Sequence, residues 1–313
     1  MNEKHTPEFT NGFAEDREVK QVTHRDYATY LSLFNLSESY LAKIETVVDI
    51  GGGFSNFTEV VRQNNKNLRA IAVDPIYQSI QANPNLTPEQ LKQQEKIIAL
   101  DFNPNYRGEE KSPGADLTEQ EDEIYKHFIE EVSKNSADYI AASHQNLPFE
   151  NNSVDLVLAS NSIIRRENKY SIIKKALQEC LRVIKENGEI RIVGSLDMFT
   201  FNSKTNNIEL WFNGILTPNG PWVKEFEKTG HYSDPELMQV FIGLEKIGVT
   251  FYGVIVAVKD KYDNFLKSFD TLVIRKDTSK PDIDLLTPET DLIELRKLQF
   301  QDTDGFNIPS VVE

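Results

Sequence analysis

The sequence contains very little cysteine, no long apolar run and no cluster of basic residues. Its single cysteine, Cys180, excludes a disulfide framework and any metal site that needs several thiolates. Residues 1–20 contain no apolar stretch of the kind found in a signal peptide, and no later stretch reaches the roughly 18 apolar residues of a membrane span. We therefore expect a cytoplasmic protein that does not act in a membrane.

Positive charge is also scarce. The chain has 34 Lys and Arg against 49 Asp and Glu, which gives a formal net charge of −15. Its most basic stretches are two pairs, 165–166 and 174–175. Because non-specific affinity for nucleic acid comes mostly from Lys and Arg contacts to phosphate, this balance disfavours a nucleic-acid partner. The oligomeric state is left open by the sequence.

What the chain does contain is an alternation of apolar strands and amphipathic helices. Its 313 residues, 39% of them hydrophobic, are enough for a large buried core. This alternation predicts an α/β fold with a doubly wound, mostly parallel, seven-stranded sheet that carries helical and loop insertions. The predicted strands are 46–50, 68–74, 139–143, 154–159, 189–194, 250–258 and 271–275.

The clearest helix is predicted over 170–185. Its apolar residues lie on one stripe, which is typical of a helix that packs on a core. Asn187 and Gly188 are expected to end the helix, with the glycine in the left-handed position that follows many helices. Glu179 and Arg182 are three residues apart and are expected to form a surface ion pair.

Three segments do not follow the alternation. Residues 78–136 are polar and charged, residues 196–233 are rich in aromatic residues, Asn and Gly, and residues 277–313 form a tail with three prolines. We interpret the chain as an N-terminal helical segment (1–45), one domain (46–276) with the first two segments as insertions, and the tail.

The strongest local signal is the stretch VVDIGGGFSNF. A strand that ends in glycines before a helix lets a ligand approach backbone amides, since side chains at Gly51 and Gly53 would block the approach. The dinucleotide fingerprint G-x-G-x-x-G requires a third glycine where this chain has Asn56. The sequence also lacks the G-x-x-x-x-G-K-[ST] phosphate loop, so nicotinamide and nucleoside-triphosphate ligands are disfavoured.

A second signal lies at the end of the next strand. The stretch AIAVDP places the carboxylate of Asp74 at a strand tip, beside the glycines in the predicted sheet. A carboxylate in this position accepts hydrogen bonds from both hydroxyls of a ribose. We therefore predict that Asp74 binds a ribose diol.

Four blocks of sequence together resemble the class I S-adenosylmethionine (SAM)-dependent methyltransferases of the type 11 kind. In the order of that family, they are VVDIGGGFS, AIAVDP, SHQNLPFENNSVDLVLAS and LQECLRVIKENGEIRIVG. With the last two predicted strands, the resemblance spans roughly residues 46–195 and 235–276. It implies a Rossmann-like methyltransferase fold and SAM as the cofactor, and says little about the methyl acceptor.

The resemblance also implies which residues hold the cofactor. Asp49, Gly51 and Gly53 would contact the methionine portion of SAM, and Asp74 the ribose hydroxyls. Ser55 stands where the family often has a third glycine.

Further positions follow from the same comparison. Ser143 and His144 would lie beside the adenine, where the family has an acidic residue instead of Ser143, and Ser160 would lie under the sulfonium.

In the second insertion, His231 is the candidate general base by position. Tyr27 or Tyr30 of a predicted N-terminal helix is expected near the ligand. The aromatic residues of the second insertion are candidates for a roof over the acceptor: Phe199, Phe201, Trp211, Phe212 and Trp222.

Three functions remain open at this point. The first is methyl transfer from SAM to an oxygen or nitrogen of a small molecule. The second is a non-catalytic relative that binds SAM or a partner, motivated by Ser143 and by the lack of a clear base in the core motifs. The third is a nicotinamide-dependent oxidoreductase, which rests only on the shared strand–glycine–helix unit.

Overall fold

The computed structural model describes most of the core of the chain. The described residues are 27–102, 119–160, 162–163, 170–193, 199–202, 207–210, 240, 243–244, 246–259, 265–277 and 290–295. They form the helices α1 (Tyr27–Leu33), α2 (Glu38–Leu41), α3 (Phe57–Asn64), α4 (Tyr77–Ala82), α5 (Pro88–Phe102), α6 (Glu119–Lys134) and α7 (Tyr170–Val183). None of the helices in these residues is long and apolar enough to cross a membrane.

The strands lie in a single sheet. They are β1 (Thr46–Ile50), β2 (Arg69–Val73), β3 (Tyr139–Ile140), β4 (Val154–Ser160), β5 (Ile184–Val193), β6 (Phe199–Asn202), β7 (Asn207–Leu210), β8 (Thr250–Lys259), β9 (Phe265–Arg275) and β10 (Thr290–Leu295). Their order is β10-β8-β9-β5-β4-β1-β2-β3, with β6 and β7 attached beside β9.

The prediction of a mostly parallel, seven-stranded α/β core is confirmed. Strands β3, β2, β1, β4 and β5 are parallel neighbours, and β9 runs antiparallel between β5 and β8. The whole sheet has ten strands. The additional three are β10, which pairs with β8, and the hairpin of β6 and β7, whose first strand pairs with β9. One extra strand therefore comes from the tail and two from the second insertion.

Helices cover both faces of the sheet because its central strands are apolar on both sides. Along β1, Val48 and Ile50 pack in the layer that contains α7, whereas Val47 packs in the layer that contains α1 and α3. Side chains that alternate along a strand point to opposite faces, so each layer receives every second residue. Asp49 shares the α1 face with Val47, where its carboxylate accepts a hydrogen bond from Tyr30.

The predicted end of the long helix is wrong. Helix α7 ends at Val183, and the chain continues directly into β5, so Asn187 and Gly188 lie within a strand. A Cβ on Gly188 would lie 2.7 Å from the carbonyl oxygen of Asp155 and 2.7 Å from Cγ1 of Ile184. The glycine is needed for this close approach of two strands rather than for a left-handed turn.

The first insertion packs onto the domain through α6. This helix buries Tyr125, Phe128 and Val132 in a cluster with Phe54 and residues of β2, β3, α4 and α5. Acidic residues of the same helix, such as Glu123, are exposed. The acidic charge therefore lies on the outer face of a helix whose inner face belongs to the core.

Candidate functional site

Strands β2, β1 and β4 end side by side, so the residues that follow them meet at one edge of the sheet. Ile50, the last residue of β1, pairs with Val73 of β2 and with Ala159 of β4. The glycine loop (residues 51–55) continues β1, Asp74 continues β2, and Ser160 ends β4. In open α/β sheets, ligands bind at this carboxyl edge.

The backbone of the glycine loop requires glycine at two positions. Gly51 has φ +69° and Gly53 has φ +49°, in the left-handed region that other residues rarely adopt. A Cβ on Gly51 would lie 2.4 Å from Cβ of Ser162, whereas a Cβ on Gly53 would come no closer than 3.9 Å to another residue. Ser162 in turn donates a hydrogen bond from Oγ to the Ile50 carbonyl, at 2.7 Å. The loop is therefore tightly packed at Gly51 and has room at Gly53.

Asp49 lies beneath the glycine loop and is almost fully buried. Its Oδ2 accepts a hydrogen bond from the Tyr30 hydroxyl of α1, at 2.9 Å. The same oxygen is 3.0 Å from the position that a Cβ on Gly52 would occupy. On the far side, the Tyr77 hydroxyl donates to the carbonyl of Gly53 at 3.1 Å. Burial and the negative charges of Asp74 and Asp49 hold the pKa of Tyr77 well above its usual value, so this phenol stays a donor.

Asp74 joins the tip of β2 to the glycine loop. Its Oδ2 accepts from the Gly53 amide at 3.2 Å, and its Oδ1 accepts from the Ile76 amide at 3.0 Å. Since each carboxylate oxygen has two lone pairs, these bonds orient the group and still leave acceptor capacity. The structure thus brings Asp49, Gly53 and Asp74 together at one site, as the sequence predicts.

Ser160 completes the edge on the β4 side. Its side chain is buried, and its Oγ has no hydrogen-bond partner among the described residues. A buried hydroxyl without a partner costs free energy, which a ligand group at this position would recover.

Ser143 and His144 follow β3, the neighbour of β2, and therefore lie along the same edge. Ser143 starts a turn in which its carbonyl accepts from the Asn146 amide at 3.0 Å and its Oγ accepts from the Gln145 amide at 3.2 Å. Both Ser143 and His144 are half-buried.

The candidate base His231 lies outside the described residues, and so do Trp211, Phe212 and Trp222. Among the described residues, no group of three or more His, Cys, Asp and Glu side chains could hold a metal ion.

The aromatic side chains behind the glycine loop are not predicted by the sequence patterns. The Phe54 ring lies 4.8 Å from the Tyr125 ring and 4.5 Å from the Phe128 ring, centroid to centroid. The spacing of apolar residues along α6 predicts an inner face for this helix. That spacing contains no information on which element the face covers.

The sequence between residues 106 and 192 matches the family model described as a methyltransferase domain. The matched segment contains β3, β4 and α7 and nearly all of β5. The glycine loop and Asp74 lie before this segment in the chain. This segment of the chain is therefore similar to a methyltransferase domain. No curated protein matches the chain.

Two solved structures are similar to this chain at low identity. One is a putative SAM-dependent methyltransferase from Methanococcus maripaludis, with 15% identity, a TM-score of 0.35, and coverage of 82% of this chain and 85% of the other. Another is a possible histamine N-methyltransferase from Thermotoga maritima, with 15% identity, a TM-score of 0.33, and coverage of 79% and 92%. Such distant similarities establish neither the acceptor nor the reaction.

The resemblance noted in the sequence predicts SAM as the cofactor. The described edge fits such a molecule, since it offers a loop that side chains do not obstruct at Gly53, a carboxylate at Asp74 and a buried hydroxyl without a partner at Ser160. The assignment of each residue to a part of the cofactor stays a prediction.

Proposed function

We propose that this protein transfers the methyl group of SAM to an oxygen or nitrogen of a small molecule. The arrangement of the glycine loop and Asp74 carries the proposal. A loop with two left-handed glycines stands over the end of β1, and the Asp74 carboxylate lies 3.2 Å from its Gly53 amide. A glycine loop that a ligand can approach closely and a carboxylate for a diol are what an adenosine-containing cofactor requires.

Each residue at the edge has a task in this proposal. SAM, when bound, supplies a methyl group on a positively charged sulfur. Asp74 accepts hydrogen bonds from the ribose hydroxyls, and the buried Asp49, oriented by Tyr30, favours a ligand of positive charge. Ser160 supplies a hydroxyl at the β4 end, where it is already dehydrated.

The acceptor side of the site is proposed to lie beyond β5. Methyl transfer is an in-line displacement, so the protein has to align the acceptor atom about 3–3.5 Å from the methyl carbon and exclude water. A base is required only when the acceptor loses a proton in the transition state, and His231 is the proposed base in that case. The hairpin of β6 and β7 follows β5 in the order of the described strands, which supports the second insertion as the acceptor-binding segment.

Titration calorimetry of the full chain with SAM tests the cofactor site. We expect Asp74→Ala to weaken binding at least about tenfold, or about 1.4 kcal/mol, because the ribose hydroxyls lose their acceptor. Gly53→Val is expected to weaken binding by a similar factor, because its side chain would extend into the space that a ligand needs.

The matched control is Asp138→Ala, which removes an aspartate that immediately precedes β3 and therefore lies at the opposite edge of the sheet. Circular dichroism and thermal unfolding establish that each variant is folded. Affinity for SAM that stays unchanged in both folded site variants would contradict the proposal, as would binding of a reduced nicotinamide cofactor in place of SAM.

A non-catalytic relative that binds SAM is the second candidate function. The observation in its favour is Ser143, a hydroxyl where the family has an acidic residue. Isotopic methyl labelling of a small-molecule extract, followed by separation of the products, distinguishes the two functions. A labelled product that requires Asp74 supports the transferase, whereas SAM binding without any labelled product favours the second candidate.

A further inference from the structure

Glu95 of α5 is connected to the glycine loop of the proposed cofactor site through Tyr125 and Phe54, although it comes from the first insertion. Its Oε2 accepts a hydrogen bond from the Tyr125 hydroxyl of α6, at 2.8 Å. Burial raises the pKa of Glu95 to about 7; the Tyr125 hydrogen bond counteracts this shift, and the negative charge of Asp74 adds to it. Glu95 is thus within electrostatic reach of the carboxylate proposed to bind the ribose.

Tyr125 connects Glu95 to the glycine loop as well. Its ring packs against the ring of Phe54, with centroids 4.8 Å apart, and both rings belong to one buried cluster. The backbone next to Phe54 is that of Gly53, whose amide donates to Asp74. One tyrosine therefore fixes the carboxyl of Glu95 and contacts the loop that Asp74 holds.

We propose that Glu95 is a positioning residue of the cofactor site, which acts through its charge on Asp74 and is held in place by Tyr125. This proposal rests on the proposed function, since it takes Asp74 as the group that binds the ribose. The groups that face Glu95 are Asp74 at the end of β2, Tyr125 of α6 and Lys92 of its own helix. Tyr77 of α4 lies near Asp74 on the same side.

The sign of the effect follows from charge. SAM brings a positive charge to the site, and its ribose hydroxyls donate hydrogen bonds to Asp74. Both changes favour the ionised form of Glu95, so we expect the pKa of Glu95 to be lower in the complex than in the free protein. Affinity for SAM should then be weakest at low pH, rise through pH 7, and become nearly constant above about pH 8.

Calorimetry with SAM from about pH 5.5 to pH 8.5 measures this effect. For the unmodified chain we expect affinity to rise about threefold over this range, which corresponds to a fall of about half a unit in the pKa of Glu95 on binding. Glu95→Gln should remove this rise, because glutamine has no charge to gain. Glu123→Gln, an exposed residue of α6, is the matched control and should keep the rise.

A second measurement needs no cofactor. Carbon-13 NMR of the Glu95 carboxyl is expected to show a lower pKa in Asp74→Asn than in the unmodified chain, because the repelling charge is gone. An unchanged pKa in Asp74→Asn, or a pH profile of SAM affinity that is the same with Glu95→Gln, would overturn the inference. A chain that does not bind SAM at all would overturn the proposed function instead, and the NMR result would still decide whether Glu95 and Asp74 are coupled.

Discussion

At the scale of single residues, Gly188 shows how one missing side chain allows two strands to pair. In this position even a methyl group would lie 2.7 Å from the backbone oxygen of Asp155 in the neighbouring strand. Real carbon–oxygen contacts are longer, so an added Cβ has to push the two strands apart or displace Ile184. Neither movement is easy in the close-packed interior of the sheet.

We therefore expect Gly188→Ala to lower the free energy of unfolding by about 1–3 kcal/mol, the usual cost of overpacking. Urea denaturation followed by circular dichroism measures the change. The control is Gly243→Ala, where the backbone is helical and a Cβ would meet no atom of the described residues within 4 Å. Alanine there should be neutral or stabilise the protein by up to about 1 kcal/mol. Equal effects of the two substitutions would contradict this account of Gly188.

At the scale of elements, Arg182 fastens the loop before β4 to α7. The surface pair with Glu179 expected from the sequence is present, at 2.8 Å. Arg182 also donates to the carbonyls of Leu147 and Phe149, each at 2.8 Å, and Glu179 accepts from the Leu147 amide at 3.0 Å. The pair therefore acts as a clamp on the segment that follows Ser143, and its contribution goes beyond that of a helix-surface ion pair.

Removing the guanidinium tests the clamp. Arg182→Met keeps the apolar stem and removes the donors to two backbone carbonyls, so we expect a loss of about 1–3 kcal/mol in the free energy of unfolding. Hydrogen exchange should show faster exchange at the Leu147 amide. Lys174→Met, on the exposed side of the same helix, should change stability by less than about 0.5 kcal/mol. Slow exchange at Leu147 in Arg182→Met would show that the clamp is dispensable.

The same elements show how far the sequence predicts the structure. The strands of the parallel core were predictable because each is a short apolar run that ends at glycine, proline or a polar residue. The boundary between α7 and β5 was not, since Val183 and Ile184 fit the period of either element and no loop separates them. Gly51, Gly53 and Asp74 were predictable from local sequence alone. Glu95 was not, because its place beside Asp74 depends on how two helices pack.

At the scale of the whole molecule, a buried charge network joins distant parts of the chain. Glu189 of β5 accepts from Arg191 at 2.7 Å and from Arg275 of β9 at 2.6 Å. Arg191 is fully buried and also donates to the carbonyls of Phe34 and Asn35 in the segment after α1, at 3.0 and 2.7 Å. The N-terminal segment, the centre of the sheet and its antiparallel strand therefore depend on the same carboxylate.

Glu189→Gln tests this dependence, because it keeps the shape of the side chain and removes the negative charge shared by Arg191 and Arg275. Arg275 then keeps its pair with Asp277, at 2.8 Å. Removing one member of a buried ion pair typically costs about 3–5 kcal/mol, and we expect a loss of that size in the free energy of unfolding measured in urea. The control is Glu186→Gln in the same strand. Its carboxylate is 79% exposed and 3.5 Å from Lys276, so its loss should cost less than about 1 kcal/mol.

Hydrogen exchange shows which elements are destabilised in Glu189→Gln. If the network holds the N-terminal segment to the sheet, hydrogen exchange in Glu189→Gln should accelerate at α1 and α2 as well as in β5 and β9, since Arg191 would lose the partner that orients it toward the Phe34 and Asn35 carbonyls. Because Tyr30 of α1 orients Asp49, affinity for SAM should fall in the same variant. Faster exchange confined to β5 and β9 would mean that the N-terminal segment is held by its apolar contacts alone.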